Sequence, residues 1–256
     1  MNIFITGGTG GIGKGLVEHY LKLGHRVGIC GGSQEDFQNS YNSVNYEISK
    51  LFFYDLDVTD RDKVNKVFTE FSKDLNLDLL ICCAGINNNK PHSSLEIDFE
   101  REHLILNINL QGTFNCFTEA IKIMKKFNSG HIVGISSAAG LIGLPGAPAY
   151  CASKSAIITL CQSLYVRLKP LNIFVTAVAP GYIDTPLARA SVPGIENKKS
   201  TLTIKQATEE IVRAIDNKKL LHIFPFQLKL TSIIIKLIPL KLFYFVVAKI
   251  YMKQIK

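Results

Sequence analysis

Hydrophobic and polar positions change period several times along this chain. Nearly continuous apolar runs predict strands at 3–5, 26–30, 51–54, 77–83, 131–135, 172–178 and 220–224. Between them, apolar residues recur at helical spacing over 14–21, around Val64 and Phe68, and over 97–127, 149–168 and 203–215. Strands that alternate with helices are typical of a parallel sheet covered on both faces. The pattern therefore predicts an α/β fold with seven strands.

A glycine-rich turn joins the first predicted strand to the first predicted helix. Unpaired N–H groups and the helix dipole make such a helix start an anion site, and glycine lets a pyrophosphate approach the backbone. The turn fits two dinucleotide-binding spacings, although it could also be a plain connector. With the seven strands it predicts a doubly wound (Rossmann) parallel sheet over 1–224, with ligand at the carboxyl ends of the strands. The candidate residues in the turn are Thr6, Gly7, Thr9, Gly11, Ile12 and Gly13.

Composition narrows the class of protein without identifying a reaction. The 256 residues are 47% hydrophobic and 20% charged, which suits one globular domain with a full core. The first strand begins almost at Met1, and no signal peptide is expected. Six cysteines without metal-binding spacing favour reduced, buried thiols in a cytoplasmic protein, and no metal site is predicted.

Two residues of the predicted helix over 149–168 suggest acid–base chemistry. Tyr150 and Lys154 are four residues apart, so their side chains project from one face. An ammonium near a phenol lowers the pKa of the phenol and makes it usable as a general acid or base. Ser137, just past a predicted strand, could donate a hydrogen bond to a carbonyl or developing alkoxide oxygen. An isolated Tyr-x-x-x-Lys pair is usually coincidental, so its meaning depends on the other motifs.

Taken together, the motifs resemble the short-chain dehydrogenase/reductase family in its compact single-domain form. The resemblance covers residues 1 to about 217, with the motifs in the family's order. It implies an NAD(P)(H)-dependent alcohol dehydrogenase or carbonyl reductase. The matching motifs are Thr6-Gly7-x-x-x-Gly11-x-Gly13, Asp57-Val58, Ala84-Gly85, Asn109-x-x-Gly112, Ser137, Tyr150-x-x-x-Lys154 and Pro180-Gly181-x-x-x-Thr185.

The resemblance also implies a role for each matching residue. Tyr150 would exchange a proton with the substrate oxygen, which Ser137 would polarise, while Lys154 would lower the pKa of Tyr150 and bind the nicotinamide ribose. Asn109 would hold a water of the proton relay, the alternative being a mid-helix side chain that faces solvent. Asp57 would contact the adenine, although it could equally cap a helix. The implied cofactor-binding residues outside the turn are Ser33, Asp57, Val58, Ala84, Gly85, Tyr150, Lys154, Pro180, Gly181 and Thr185.

Two positions depart from the family's pattern. Cys82-Cys83 stands where the family often has Asn-Asn, which changes local hydrogen bonds. After the second strand the family has Asp for NAD or Arg for NADP, whereas this chain has Gly31-Gly32-Ser33. Glu35 and Asp36 come too late to bind the ribose hydroxyls, so NADP(H) is favoured over NAD(H). The candidates for contact with a 2′-phosphate are Lys14, Arg26 and Ser33.

The segment 225–256 departs from the family body. It is rich in Leu, Ile, Phe and Tyr, and from Lys229 onward it contains six lysines and no acidic residue. This segment, rather than a nucleic-acid-binding domain, accounts for most of the net charge of +8. It is too interrupted to span a bilayer and could lie on a membrane surface, or it could cover the sheet or a subunit interface. Membrane contact would indicate a lipophilic substrate, covered by a lid over 186–200.

Other functions remain open on the same fold. An epimerase or dehydratase would usually carry a larger C-terminal substrate domain. A non-catalytic nucleotide-binding or membrane-surface scaffold protein would have no need of the Ser137, Tyr150, Lys154 and Asn109 set. Family members are commonly dimers or tetramers, so a homodimer is possible. The sequence therefore favours a reductase or dehydrogenase of a small, lipid-like carbonyl or alcohol.

Overall fold

Within the described residues, seven parallel strands form one sheet in the order β3-β2-β1-β4-β5-β6-β7. The computed structural model describes residues 1–42, 47–73, 75–88, 97–192 and 194–255. The predicted seven-stranded parallel sheet is confirmed. The strands are β1 Asn2–Thr6, β2 Arg26–Cys30, β3 Leu51–Tyr54, β4 Leu79–Cys82, β5 Gly130–Ile135, β6 Ile173–Pro180 and β7 Leu221–Phe224.

Helices cover both faces of this sheet. They are α1 Gly11–Lys22, α2 Gln34–Tyr41, α3 Arg61–Ser72, α4 Phe99–Leu106, α5 Thr113–Phe127, α6 Pro148–Leu168, α7 Pro186–Ser191, α8 Ile204–Asp216, α9 Phe226–Leu237 and α10 Leu240–Ile255. On one face Phe4 packs in a buried cluster with residues of α3, α5 and α6, such as Phe68 and Phe117. On the other face Ile5 packs with residues of α1 and α8, such as Leu16. Apolar side chains on both faces of the same strand explain its continuous apolar run.

The strand order reverses at β1. Thr6, at the carboxyl end of β1, is in register with Cys30 of β2 on one side and with Cys82 of β4 on the other. Connections that leave neighbouring strands toward opposite faces open a crevice at these carboxyl ends. The segments that follow β1, β2 and β4 therefore meet at one place.

Two segments differ from the predicted elements. The sequence predicts no element at 34–41, where the structure has α2, which Ser33 and Asp36 begin with a reciprocal capping box. In α2, Tyr41 is buried and Phe37 is half-buried four residues before it, a single apolar pair that is too short a pattern to predict a helix. The helix predicted over 97–127 is divided into α4, a π-helical segment Asn107–Gly112 and α5.

The remaining predicted segments are described in part. Of the predicted loop over 86–94, residues 89–94 lie outside the described residues. The predicted lid over 186–200 contains α7 and is described except at residue 193. Beyond β7 the chain forms α9 and α10, which are separated at Pro239. Among the described residues, no helix has both the length and the apolar character to cross a bilayer.

Candidate active site

The glycine-rich turn closes tightly between β1 and α1. Gly7 has a φ of +68°, a conformation that favours glycine. A side chain at Gly13 would collide with the carbonyl group of Gly7. Gly10, the cap residue of α1, has no side chain to bond the first N–H groups of the helix. A helix start without a cap side chain, preceded by a glycine-rich turn, fits the pyrophosphate of a dinucleotide.

Side chains fix the turn to the neighbouring strand ends. The Thr6 hydroxyl oxygen accepts hydrogen bonds from the N–H groups of Cys83 and Ala84, at 3.1 and 3.0 Å. The Thr9 hydroxyl donates to the carbonyl of Gly31 at 2.8 Å. The threonines therefore hold the ends of β4 and β2 against the turn. Half-buried Ile12 packs against the core cluster on the α1 face.

Tyr41 also fixes the turn, although no sequence motif includes it. Tyr41 is the last residue of α2, and its hydroxyl donates a hydrogen bond of 2.6 Å to the Gly8 carbonyl. The Lys14 ammonium lies 6.0 Å from the centroid of the Tyr41 ring. Lys14 is therefore close to the turn and remains a candidate for phosphate contact.

The three predicted catalytic side chains of the serine, tyrosine and lysine motif meet beside the crevice. Ser137 follows β5, while Tyr150 and Lys154 lie on the first turns of α6. The Ser137 side chain is near enough to Tyr150 to influence its pKa. The Lys154 Nζ atom lies 5.6 Å from the centroid of the Tyr150 ring and donates to the carbonyl of Ile135 at 3.0 Å. The structure thus brings together residues that the sequence places on two elements.

The protonation states of this group follow from burial. Burial raises the pKa of Tyr150 to about 12, while the neighbouring Ser137 side chain acts in the opposite direction. Burial also lowers the pKa of Lys154 to about 8. Burial is thus the largest influence on the Tyr150 phenol in this structure, and the lowering of its pKa by Lys154 stays a prediction. At neutral pH the Tyr150 phenol is protonated and can donate a proton.

Asn109 lies in the π-helical segment and is completely buried. Its Oδ1 atom accepts from the Ile86 N–H at 2.8 Å, and its Nδ2 atom donates to the Ile86 carbonyl at 2.9 Å. Nδ2 is also 3.3 Å from the Ser153 hydroxyl oxygen. The alternative of a side chain that faces solvent is therefore wrong. Asn109 fixes the segment after β4 to the helix that carries Tyr150.

Ala84 and Gly85 form the floor between these groups. A side chain at Gly85 would come within 3.1 Å of the Asn109 Oδ1 atom and 3.3 Å of the Lys154 Nζ atom. A side chain at Gly7 would meet the backbone of Ala84 at 2.9 Å. The strand ends leave a cradle that any additional Cβ atom would fill. This space suits the nicotinamide and its ribose at the carboxyl ends of the strands.

Cys83 is a site residue that the motif comparison only noted as a departure. Burial raises the pKa of its thiol to about 11, while the nearby Lys154 acts to lower it. The structure confirms that the other five cysteines are buried. Cys83 is half-buried and close enough to Lys154 and Tyr150 to influence both. The adjacent Cys82 faces the core.

The end of β6 supplies the opposite side of the crevice. Pro180 ends β6, and the N–H of Gly181 donates to the Phe224 carbonyl at 2.8 Å. Thr185 caps α7 and lies against the turn, because a side chain at Gly11 would meet the Thr185 methyl group at 2.8 Å. These contacts place Thr185, one of the predicted cofactor-binding residues, beside the predicted pyrophosphate loop.

The predicted adenine-binding residues follow β3. The Asp57 Oδ1 atom accepts from both the N–H and the hydroxyl of Thr59, each at 2.8 Å. The cap of α3 is Asp60, so Asp57 does not cap that helix. Val58 is buried in the core. Asp57 is exposed at the crevice rim and retains a second oxygen atom for a ligand.

The contacts at the two ends of β2 limit the candidates for phosphate contact. After the carboxyl end, the Asp36 Oδ2 atom accepts from the N–H and hydroxyl of Ser33, at 2.7 and 2.9 Å, and the expectation that Asp36 comes too late for the ribose hydroxyls stays a prediction. These bonds lower the pKa of Asp36. Arg26 lies at the other end of β2, where its guanidinium donates to Asn2 and Phe71. Arg26 therefore cannot contact a phosphate at the carboxyl end, and Lys14 and Ser33 are the remaining candidates.

A doubly wound sheet, a glycine turn at its reversal point and an adjacent serine, tyrosine and lysine are the features of nucleotide-binding oxidoreductases. A model of the family described as short chain dehydrogenase matches residues 1–196. The chain belongs to this family, and the resemblance inferred from the motifs is confirmed.

Relatives and solved structures agree with this assignment. The chain is similar to 3-oxoacyl-[acyl-carrier-protein] reductase FabG of Rickettsia prowazekii, with 34% identity over 184 residues, 72% of this chain and 73% of that protein. It is 33% identical to FabG of Thermotoga maritima over 186 residues, 72% and 74% of the two chains. The structure "ElxO with NADP Bound" is 30% identical, with a TM-score of 0.75, and the match covers 87% of this chain and 95% of that one.

Proposed function

We propose that the protein is an NADP(H)-dependent reductase that converts a carbonyl group into a secondary alcohol. The observation that carries this proposal is the placement of Tyr150 beside Ser137, with the Lys154 ammonium 5.6 Å from the Tyr150 ring centroid and next to the glycine cradle at Gly85. A protonated acid at this place suits reduction, because the substrate oxygen must gain a proton.

The chain's own residues position the carbonyl and deliver the proton. The Ser137 hydroxyl orients the substrate oxygen and stabilises its developing charge. The Tyr150 hydroxyl donates its proton to that oxygen, and the nearby Lys154 ammonium stabilises the phenolate that remains. Asn109 holds the segment after β4 close to α6 through its hydrogen bonds with Ile86 and Ser153. NADPH, when bound, supplies the hydride.

The cradle fits the cofactor by its shape and by its donors. The uncapped start of α1 would bind the pyrophosphate, and Gly85 leaves room for the nicotinamide ribose beside Lys154. Lys14 and Ser33 would contact the 2′-phosphate. The NADP bound to ElxO, a relative with 30% identity, supports the preference for NADP(H).

A 3-oxoacyl thioester is the substrate class that the relatives favour. Several curated relatives at 33–34% identity are 3-oxoacyl-[acyl-carrier-protein] reductases. A lipid-like chain on the substrate also agrees with the apolar C-terminal segment. A homodimer remains a prediction, and membrane contact of residues 225–256 is a separate proposal because it depends on α9 and α10.

Consumption of NADPH with 3-oxoacyl thioesters of different chain lengths tests the function. We expect oxidation of NADPH by the wild-type chain and formation of the 3-hydroxyacyl product. Tyr150→Phe should bind NADPH but not turn over. Tight NADPH binding without oxidation by any carbonyl substrate would instead indicate a nucleotide-binding scaffold. Product formation without net cofactor consumption would indicate an epimerase or dehydratase.

A further inference from the structure

The helices α9 and α10 expose an apolar surface on the side away from the sheet. Half of the large hydrophobic side chains that are exposed in the described residues lie on these two helices and the turn between them. Exposed patches of this kind mark interaction sites. The C-terminal surface consists of Phe226, Leu230, Ile233, Ile234, Leu237, Leu240, Leu242, Phe245, Val246, Ile250 and Met252.

A narrow stripe on each helix already contacts the protein body. On α9, Ser232 is buried and Leu228 lies close to Gly181. On α10, the Tyr244 hydroxyl oxygen accepts from the N–H of Gly143 at 3.1 Å and donates to the carbonyl of Gly143 at 3.3 Å. A surface helix usually shows polar residues opposite its buried stripe. Here the outward side is apolar as well, so packing on the body does not explain it.

The charged residues of the segment that forms this surface all have the same sign. After Asp216 the sequence contains eight lysines and no aspartate or glutamate. Lys229, Lys241 and Lys249 are exposed on α9 and α10. In a two-fold symmetric dimer through this surface, each lysine set would face its own copy without a carboxylate to pair with. The charge pattern therefore opposes a second copy and favours an anionic, apolar partner.

We propose that α9 and α10 bind the surface of an anionic lipid bilayer. The helices contain 12 and 16 residues, too short to cross the hydrocarbon core of about 30 Å at 1.5 Å per residue. Lying in the interface, they bury their leucine, isoleucine and phenylalanine side chains below the headgroups, while the lysines contact anionic lipid. This proposal goes beyond the reductase activity and does not require it.

Membrane binding through this surface would bring the bilayer close to the catalytic segment. A cavity of about 880 Å³ lies between α6, the residues after Ser137 and the C-terminal helices. Its walls are largely apolar and include Leu141, Leu144, Ile235 and Phe243. The hydrogen bonds of Tyr244 with Gly143 join α10 to the segment between Ser137 and Tyr150. A membrane-bound enzyme would thus present this side to alkyl chains.

Co-sedimentation of the full chain with vesicles tests the proposal. The vesicles contain phosphatidylcholine alone or phosphatidylcholine with phosphatidylglycerol. We expect binding to the anionic vesicles that weakens as salt is added. The triple variant Lys229→Glu, Lys241→Glu, Lys249→Glu should lose at least about 100-fold in partition coefficient, given the contribution of each lysine near an anionic surface. Phe245→Ser should weaken binding without changing the charge.

A matched triple variant separates a specific surface from general attraction. Lys66→Glu, Lys125→Glu, Lys126→Glu changes the charge equally at exposed positions on α3 and α5 and should retain most of the binding. NADPH binding by every variant checks that the fold is intact. Equal losses in both triple variants, or no binding by the wild-type chain, would overturn the proposal. The membrane proposal would also be overturned if the wild-type chain did not bind vesicles and Phe245→Ser converted a dimer into a monomer.

Discussion

Ser137 and Tyr150 are neighbours in the site, although one follows a strand and the other lies in the first turn of a helix. The Ser137 side chain is near enough to act to lower the pKa of Tyr150, against the larger effect of burial. A substrate oxygen that reaches both hydroxyls would accept a hydrogen bond from each. The fold thus brings the orienting group and the proton donor together before a substrate arrives.

Tyr150→Phe should abolish most of the reductase activity and leave the cofactor site intact. The substitution removes the proton donor, and general acid catalysis is worth roughly 100- to 10,000-fold in rate. NADPH affinity should change little, since the ring is retained beside Lys154. The measurements are NADPH oxidation and fluorescence titration with NADPH. Full turnover by this variant would show that Tyr150 is not the acid.

The rate of reduction should fall as the pH rises through about 8. Burial lowers the pKa of Lys154 to about 8, so its ammonium loses a proton there and no longer stabilises the Tyr150 phenolate. Lys154→Arg keeps a positive charge at higher pH and should shift the fall upward. The measurement is a pH profile of kcat/KM with saturating NADPH. A wild-type profile that is flat through pH 8 would contradict the role of the Lys154 ammonium in stabilising the Tyr150 phenolate.

Lys154→Met should stabilise the fold while it removes activity. The lowered pKa of Lys154, about 8 instead of 10.5, corresponds to roughly 3 kcal/mol against the charged form in the folded state. Loss of the hydrogen bond to Ile135 costs about 1 kcal/mol, which leaves a gain of about 2 kcal/mol at pH 7. Urea unfolding measures the change.

The pH dependence of this stability provides a control. Between about pH 8 and pH 10.5 the unfolded wild-type chain binds more protons at residue 154 than the folded one. The free energy of unfolding that this residue contributes therefore rises with pH in that interval. The Met variant should lack this rise. If the free energy of unfolding rose equally with pH in both proteins, a group other than Lys154 would be its cause.

The sequence was sufficient where function depends on spacing within one element. The backbone of a single turn requires Gly7, Gly11 and Gly13. The helical repeat brings Tyr150 and Lys154, four residues apart, to one face of the same helix. Both arrangements are present in the structure. The seven apolar strands were recognisable for the same reason, because burial on both faces leaves a continuous apolar run.

Other features depend on contacts between distant segments. The π-helical turn at Asn109 lies inside a continuous helical pattern, which does not distinguish it from the helices on either side. The helix α2 has two packed apolar side chains, Phe37 and Tyr41, so its hydrophobic pattern is short, and its capping box at Ser33 is the other signal. The pKa of Tyr150 follows from burial by several elements, which spacing within α6 cannot predict.

Asp36→Asn should strengthen NADPH binding. In the wild-type chain the Asp36 carboxylate accepts both hydrogen bonds of Ser33, at the place where a 2′-phosphate would be bound. Removal of this negative charge lowers the repulsion of the phosphate and should reduce the Kd for NADPH by about fivefold at low salt. Position 36 is the third residue of α2, where an asparagine amide oxygen can still accept from the Ser33 N–H, so α2 should persist. Fluorescence titration with NADPH and NADH measures the change.

Glu35→Gln is the matched control for this charge. Glu35 is an exposed carboxylate in the same turn of α2, and the hydrogen bonds of Ser33 are directed to Asp36. The control should therefore change NADPH binding much less than Asp36→Asn does. Weaker NADH binding by Asp36→Asn, with NADPH binding unchanged, would mean that Asp36 binds the ribose hydroxyls. In that case the enzyme would favour NAD(H), because a carboxylate at this strand end pairs with the 2′-hydroxyl.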